Sequence, residues 1–106
     1  MAEWWHYLVA IPAAALLING LPHFLHGISG KAFPTPFSGG AGTLDSPARN
    51  VLWGGGNLLV GGVLLWLMRG GLGDALLLVE LVLLGIGFGA ALGYAFSHPE
   101  RFGRKR

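Results

Sequence analysis

Three long apolar stretches limit what this sequence can fold into more than any other feature. They cover about residues 4–28, 47–68 and 72–97. A helix that crosses the hydrocarbon core of a bilayer needs roughly 20 mostly apolar residues, and each stretch reaches that length. The sequence therefore predicts an all-α integral membrane protein in which residues 1–106 form one membrane domain with three transmembrane helices.

Charged residues are scarce and unevenly placed. They make up 11% of the chain, whereas soluble domains carry roughly 25%. The chain therefore has too few charged residues to cover the surface of a soluble domain. Basic residues gather in the tail, residues 98–106, and not along a folded face, which argues against nucleic-acid binding. The chain has no cysteine, so disulfides, cysteine-ligated clusters and thiol catalysis are excluded.

The positive charges also predict the orientation of the helices. A turn at residues 69–73 joins the second and third helices into a hairpin, whereas residues 30–46 form a longer loop that ends at the helix start Ser46-Pro47. Positive residues near the ends of spans favour the cytoplasmic side. Arg69 stands alone on the hairpin side, so we expect the N-terminus outside, with the loop and the C-terminus in the cytoplasm. The basic residues of the loop side are Lys31, Arg49, Arg101, Arg104, Lys105 and Arg106.

Small residues in the third helix predict a packing seam. Gly85, Gly89 and Gly93 recur every four residues and share one helix face. Small residues let membrane helices approach closely, because lipid tails give helices no hydrophobic reason to associate. The seam could pack the three helices of one subunit, or it could remain free and drive homo-oligomerisation. Because further glycines lie on a second face, the pattern favours an oligomer.

Two asparagines lie near the middle of their helices. Asn19 on the first helix and Asn57 on the second fall at similar depth when each residue adds about 1.5 Å of rise. Polar groups are costly in the bilayer unless they are paired. We therefore predict a hydrogen bond between them that clamps the two helices.

A polar cluster is predicted at the cytoplasmic side. His23 and His26 share a face of the first helix, and at similar depth lie Asn50, Tyr94 and, just beyond, His98. The cluster could be a protonatable site on a transport path, or it could bind the head group of a lipid or a quinone. Alternatively, the histidines only bond the backbone carbonyls near Pro22 and Gly27.

Metal and haem are the weaker alternatives for this cluster. His23 and His26 could share a metal ion, but four ligands are usual and only Asp45 could add a carboxylate, if the loop folds back. A haem needs axial ligands on opposite faces, whereas the two histidines share one face and His98 sits at the water boundary. No metal and no cofactor are therefore expected, with haem or quinone as alternatives.

Glu80 is an isolated carboxyl group within the third helix. No basic residue of the same subunit is expected at its depth. A carboxyl group in this position should be neutral, or it should face water or another subunit. It could couple to proton movement, or it could be a protonated side chain bonded to a backbone carbonyl.

One segment resembles a known group of proteins. The run Leu21–Phe37, with Ser46-Pro47, Asn50–Gly54 and Asn57-Leu58, resembles small bacterial integral membrane proteins that have no assigned activity. The resemblance implies a location in the bacterial cytoplasmic membrane and supplies no catalytic residues. Its stiff segment, residues 33–37, could fold back as a lid under the histidines. An anchor at the membrane surface, with Phe33 and Phe37 buried in lipid, is the favoured alternative.

No motif for hydrolysis, phosphate binding or cofactor attachment is present. The sequence therefore predicts a non-enzymatic, oligomeric membrane protein, in which the histidines and Glu80 serve small-solute or proton movement, or only assembly. A redox-accessory subunit that holds a quinone or a haem is one alternative. An accessory or assembly subunit of a larger membrane complex is the other.

Overall fold

The computed structural model describes residues 1–38 and 43–99, and this part of the chain is helical. Three helices follow one another: α1 (Trp4–Ile28), α2 (Pro47–Leu67) and α3 (Ala75–Ser97), with a 3₁₀ turn at Arg69–Gly71 before α3. Each of the three is long and apolar enough to cross a membrane. No β-strand occurs within the described residues. The all-helical prediction with three apolar helices is therefore confirmed.

The helix ends follow from local capping. The Ser46 hydroxyl accepts a hydrogen bond from the Arg49 N–H at 3.2 Å, and Pro47 occupies the first turn, where its missing N–H costs nothing. At the turn between α2 and α3, α3 begins three residues later than predicted. The reason is that Arg69–Gly71 forms the 3₁₀ turn, and the Asp74 carboxylate caps α3 by accepting from the Leu76 N–H at 3.0 Å.

Asp74 also ties the N-terminus to the hairpin. Its second carboxylate oxygen accepts a hydrogen bond from the Ala2 N–H at 3.3 Å. The N–H groups of Ala2 and Leu76 hold the pKa of Asp74 below its usual value. Nearby, the ring of His6 is buried so tightly against Gly71 that any side chain at Gly71 would collide with it.

The contact between α1 and α2 is built on glycines, because their backbones approach each other directly. A Cβ atom added at Gly27 would lie 2.6 Å from the Pro47 carbonyl oxygen, and one at Gly61 would lie 2.8 Å from the Leu17 side chain. Gly20 and Gly54 meet in the same way between these two points. Only glycine fits such positions, so these four residues form the seam of the helix pair.

The predicted packing seam on α3, formed by Gly85, Gly89 and Gly93, lies outside the contact between α1 and α2. A Cβ atom at Gly89 or at Gly93 would meet no described atom within 4 Å, and one at Gly85 would only touch the tip of Ile18 at 3.8 Å. The suggestion that these glycines pack the helices of one subunit is therefore wrong for Gly89 and Gly93. A side chain at either of these two positions would begin in open space.

Candidate functional site

The loop after α1 folds back over the end of the helix pair. The chain leaves α1 through Gly30, whose φ of +73° is a left-handed conformation that suits glycine. Phe33 and Asp45 then form an isolated antiparallel bridge, with N–H···O distances of 3.2 and 2.9 Å. Pro34 and Thr35 are buried by this fold. The described part of the loop is thus a structured cap on the bundle.

Asp45 holds this cap together. Its carboxylate accepts hydrogen bonds from the Thr35 hydroxyl at 2.6 Å and from the Ser46 N–H at 2.8 Å. Arg49 lies 3.8 Å away as a weaker ion pair. The Thr35 hydroxyl, above all, holds the pKa of Asp45 below its usual value, against the opposing effect of burial. The carboxylate is therefore engaged with the loop, and residues 1–38 and 43–99 contain no group of three potential metal ligands.

Asn50 joins the loop to α1. Its amide Nδ2 donates to the carbonyl oxygens of Phe33 and Ser46, both at 2.9 Å, and lies 3.3 Å from that of Asp45. These acceptors fix the orientation of the amide, because only its nitrogen can donate to them. The Asn50 Oδ1 therefore faces the His23 Nδ1 at 2.9 Å, and the Nδ1–H of His23 is the donor.

His23 is buried in an aromatic surrounding. Only 2% of its surface is exposed. Its ring is edge-on to those of Phe33, Phe96 and Trp53, with centroid distances of 5.3, 6.1 and 6.5 Å. Because the neutral ring carries its proton on Nδ1, the Nε2 is a hydrogen-bond acceptor. Among the described residues it has no hydrogen-bond partner.

His26 has a different role from His23. Its Nδ1–H donates to the Pro22 carbonyl oxygen at 2.7 Å, one turn earlier in α1. Its ring stacks on that of Phe33, with centroids 4.1 Å apart and planes at 24°. His26 thus packs against the loop through Phe33. Its bond to the Pro22 carbonyl agrees with the alternative in which the histidines bond backbone carbonyls.

The other two predicted members of the cluster form a pair on α3. Tyr94 stacks on His98 at 4.1 Å, and the His98 Nδ1 lies 2.9 Å from the Tyr94 carbonyl oxygen. Tyr94 is 45% exposed. The residue of α3 that lies against His23 is Phe96, so the α3 contribution to the cluster is aromatic.

Phe33 acts as a lid, contrary to the preference for a membrane anchor. Its ring covers His26, and the centroids of the Phe33 and Phe96 rings are 4.6 Å apart. Phe37 is 68% exposed and touches Trp53 edge-on at 5.4 Å. The anchor interpretation is therefore wrong for Phe33, whereas the exposure of Phe37 fits it.

A cavity of about 200 Å³ lies beside His23, where all three helices and the loop meet. The Trp53 indole Nε1 is buried, and within the described part of the chain it has no hydrogen-bond acceptor. A buried donor without a partner is costly, so this group is a candidate for binding a ligand. The residues that line the cavity are Asn19, His23, Pro34, Thr35, Pro36, Trp53, Ala95 and Phe96.

The two asparagines meet near the middle of the helices. Asn19 Nδ2 donates to Asn57 Oδ1 at 3.2 Å, and Asn57 Nδ2 donates to the Trp53 carbonyl oxygen at 2.7 Å. This is the interhelical bond that their depths predicted. Asn19 also lines a second cavity of about 310 Å³, deeper in the bundle.

Glu80 lies away from this site, on α3. Its side chain is half-buried, and its Oε1 is buried without a hydrogen-bond partner among the described residues. The residue lines an apolar groove of about 600 Å³ that continues to Gly87 and Ala91. The structure does not bring Glu80 together with the histidines.

The residues present do not fit a haem. His26 is covered by Phe33 and bonded to Pro22, so it is not presented as an axial ligand. The cavity of about 200 Å³ beside His23 is too small for a porphyrin, and the ring of His98 lies against Tyr94.

Sequence reasoning missed the aromatic walls and the loop bonds of this site. Trp53 and Phe96 carry no signal in the sequence beyond being aromatic, and the partners of Thr35 and Asp45 depend on the path of the loop. No protein-family model, no curated protein and no solved structure matches this chain.

Proposed function

We propose that this chain is a non-enzymatic, multi-pass protein of the bacterial cytoplasmic membrane that accepts a proton or a small polar solute at His23. Its three apolar helices support insertion in a bilayer. The excess of basic residues on the loop side supports a cytoplasmic loop and an outside N-terminus. The resemblance to small bacterial membrane proteins supports the location.

One observation carries the proposal for His23. The ring is buried and lines a cavity, its Nδ1 is fixed by Asn50, and its Nε2 has no hydrogen-bond partner among the described residues. The His23 Nε2 is not among the fully buried atoms without a partner in the described residues, which are the Trp53 Nε1 and the Glu80 Oε1. An imidazole with one fixed and one available nitrogen can accept a proton or a hydrogen bond at the second nitrogen.

Proton flux into proteoliposomes tests this proposal. With a pH gradient and a trapped pH-sensitive dye, the protein should dissipate the gradient faster than protein-free liposomes do. His23→Gln should slow this flux several-fold. The matched control His98→Gln should leave it unchanged, because His98 does not line the cavity. A flux equal to that of protein-free liposomes, or equal in the His23→Gln variant, overturns proton movement through His23.

Assembly through α3 is the second candidate function. It is favoured by the open space at Gly89 and Gly93 and by a carboxylate oxygen of Glu80 that has no partner among the described residues. Both features suit a helix of a second copy or of another membrane subunit. Native mass spectrometry in mild detergent tests it: a single copy under all conditions, with no other subunit bound, contradicts this role.

A further inference from the structure

We infer that the cavity beside His23 binds a hydroxylated aromatic ring of the quinol type, with an apolar tail that runs deeper between the helices. This inference rests on the proposed function in one respect, namely that the His23 Nε2 serves as an acceptor. It goes further by naming the chemical class of the ligand. Four observations lead to it.

The first concerns what His23 requires. The three carbonyl oxygens around the Asn50 Nδ2 fix that amide, and the amide in turn fixes the proton of His23 on Nδ1. The Nε2 can then only accept a hydrogen bond while the ring is neutral. A ligand at this nitrogen must therefore bring an O–H or N–H group. A carbonyl oxygen, as in an oxidised quinone, would have no donor to meet there.

The second concerns what Trp53 requires. Its indole N–H is a donor and is buried without an acceptor in the described part of the chain. The rings of His23 and Trp53 are 6.5 Å apart between centroids. Both residues line the same cavity, so one bound ligand can lie against both. A hydroxyl group is both donor and acceptor, so a single hydroxyl meets both requirements.

The third concerns shape. An apolar cavity of about 150 Å³ holds a benzene molecule, and the cavity here has about 200 Å³. Its aromatic walls, Trp53 and Phe96, favour a flat ring through edge and face contacts. One substituted ring fits this volume, whereas a fused ring system of three or more members exceeds it.

The fourth concerns the tail. The second cavity, of about 310 Å³, has Asn19 in common with the first and lies towards the middle of the helices. Apart from Asn19 and Asn57, its lining is apolar, as an alkyl or isoprenoid chain requires. A ligand with a polar ring at His23 and a tail along this second cavity would thus be a membrane-soluble amphiphile. The apolar lining residues are Ala15, Leu16, Phe88, Ala91 and Leu92.

Titration of the protein in lipid nanodiscs with a decyl-substituted hydroquinone, under anaerobic conditions, tests the inference. The matched ligand is the same molecule with both hydroxyls methylated, which keeps the ring and the tail but cannot donate. We expect the hydroquinone to bind at least about tenfold more tightly than its dimethyl ether. In ¹⁵N spectra of histidine-labelled protein, the His23 Nε2 resonance should shift upfield with the hydroquinone only.

Variants separate the two contacts. Trp53→Phe should weaken hydroquinone binding about three- to tenfold while it keeps an aromatic wall, and Trp66→Phe, at the exposed opposite end of α2, should not. The inference is overturned if the dimethyl ether binds as tightly, or if the Nε2 resonance stays in place at saturation. Proton flux that depends on His23, without hydroquinone binding, would overturn the ring assignment and leave the proposed function standing. Hydroquinone binding without proton flux would overturn the proposed function and leave the ring assignment standing.

Discussion

Gly20 and Gly54 face each other across α1 and α2 with a reciprocal contact. A Cβ atom at Gly20 would lie 2.8 Å from the Gly54 carbonyl oxygen, and a Cβ atom at Gly54 would lie 2.7 Å from the Gly20 carbonyl oxygen. Neither position can gain a methyl group without moving a backbone. The glycines thus set how closely the two helices pack, and with it the distance between His23 on α1 and Asn50 on α2.

The seam predicts a sharp contrast between two neighbouring glycines of α2. Gly54→Ala should destabilise the protein by about 1–3 kcal/mol, the usual cost of overpacking. Gly56→Ala is the matched control, because a Cβ atom there would meet no described atom within 4 Å. It should be neutral or stabilising, since alanine favours a helix by about 1 kcal/mol over glycine. Thermal unfolding in detergent checks both, and equal melting temperatures would contradict the seam.

The asparagines should differ in their contribution to stability. Asn50→Ala removes the partner of the His23 Nδ1–H, whereas the three carbonyl oxygens keep their backbone N–H donors, so we expect a loss of about 1–3 kcal/mol. Asn19→Ala removes one interhelical bond, and such bonds average about 0.6 kcal/mol in membranes. Unfolding by denaturing detergent measures the two losses. Equal losses would show that Asn50 does not organise the loop.

The loop should open at low pH. Because the folded state lowers the pKa of Asp45, the carboxylate stabilises the loop fully above its usual pKa of 3.8. That stability is lost as the pH falls through the lowered folded value. Hydrogen exchange of the Phe33 and Asp45 N–H groups should therefore be constant above about pH 5 and lose protection below pH 4, after correction for intrinsic rates.

Two variants check that this pH dependence comes from Asp45. Asp45→Asn should remove it, because the side chain no longer titrates. Asp74→Asn, at the opposite end of the bundle, should leave it intact. Loss of protection at the same pH in the Asp45→Asn variant would assign the effect to another group.

A bulky residue on the open face of α3 should disrupt self-association without disturbing the subunit. A Cβ atom at Gly89 would meet no described atom within 4 Å, so the unfolding temperature of Gly89→Ile should stay within a few degrees. The oligomer, measured by cross-linking in membranes, should decrease several-fold. Ala90→Ile, at an exposed position on another face of α3, is the control. An oligomer distribution that responds equally to both would place the interface elsewhere.

The proposed orientation can be tested with single cysteines, because the chain has none of its own. Gly73→Cys lies in the hairpin turn and Ala32→Cys in the loop, and both positions are exposed. With intact cells and a membrane-impermeant maleimide, the first should be labelled at once. The second should react only after the membrane is permeabilised. The opposite pattern would reverse the orientation.

The sequence by itself determined the three helices and their capping. A long apolar stretch must satisfy its backbone groups internally, and the helix is the local way to do so, so the helices are where the sequence predicted them, except that α3 begins three residues later. Ser46-Pro47 marked the start of α2 for the same local reason. The depth of Asn19 and Asn57 followed from the rise of the helix, and with it their hydrogen bond.

Only the tertiary structure decided which glycines pack and how His23 is held. Gly20 and Gly89 look equivalent in the sequence, and what separates them is the direction from which the neighbouring helix approaches. The loop likewise places the Phe33 carbonyl oxygen beside Asn50, and this contact between residues 17 positions apart fixes the proton of His23. Long-range contacts of this kind depend on the path of the whole chain. For that reason the glycines of the seam and the available nitrogen of His23 became visible only in three dimensions.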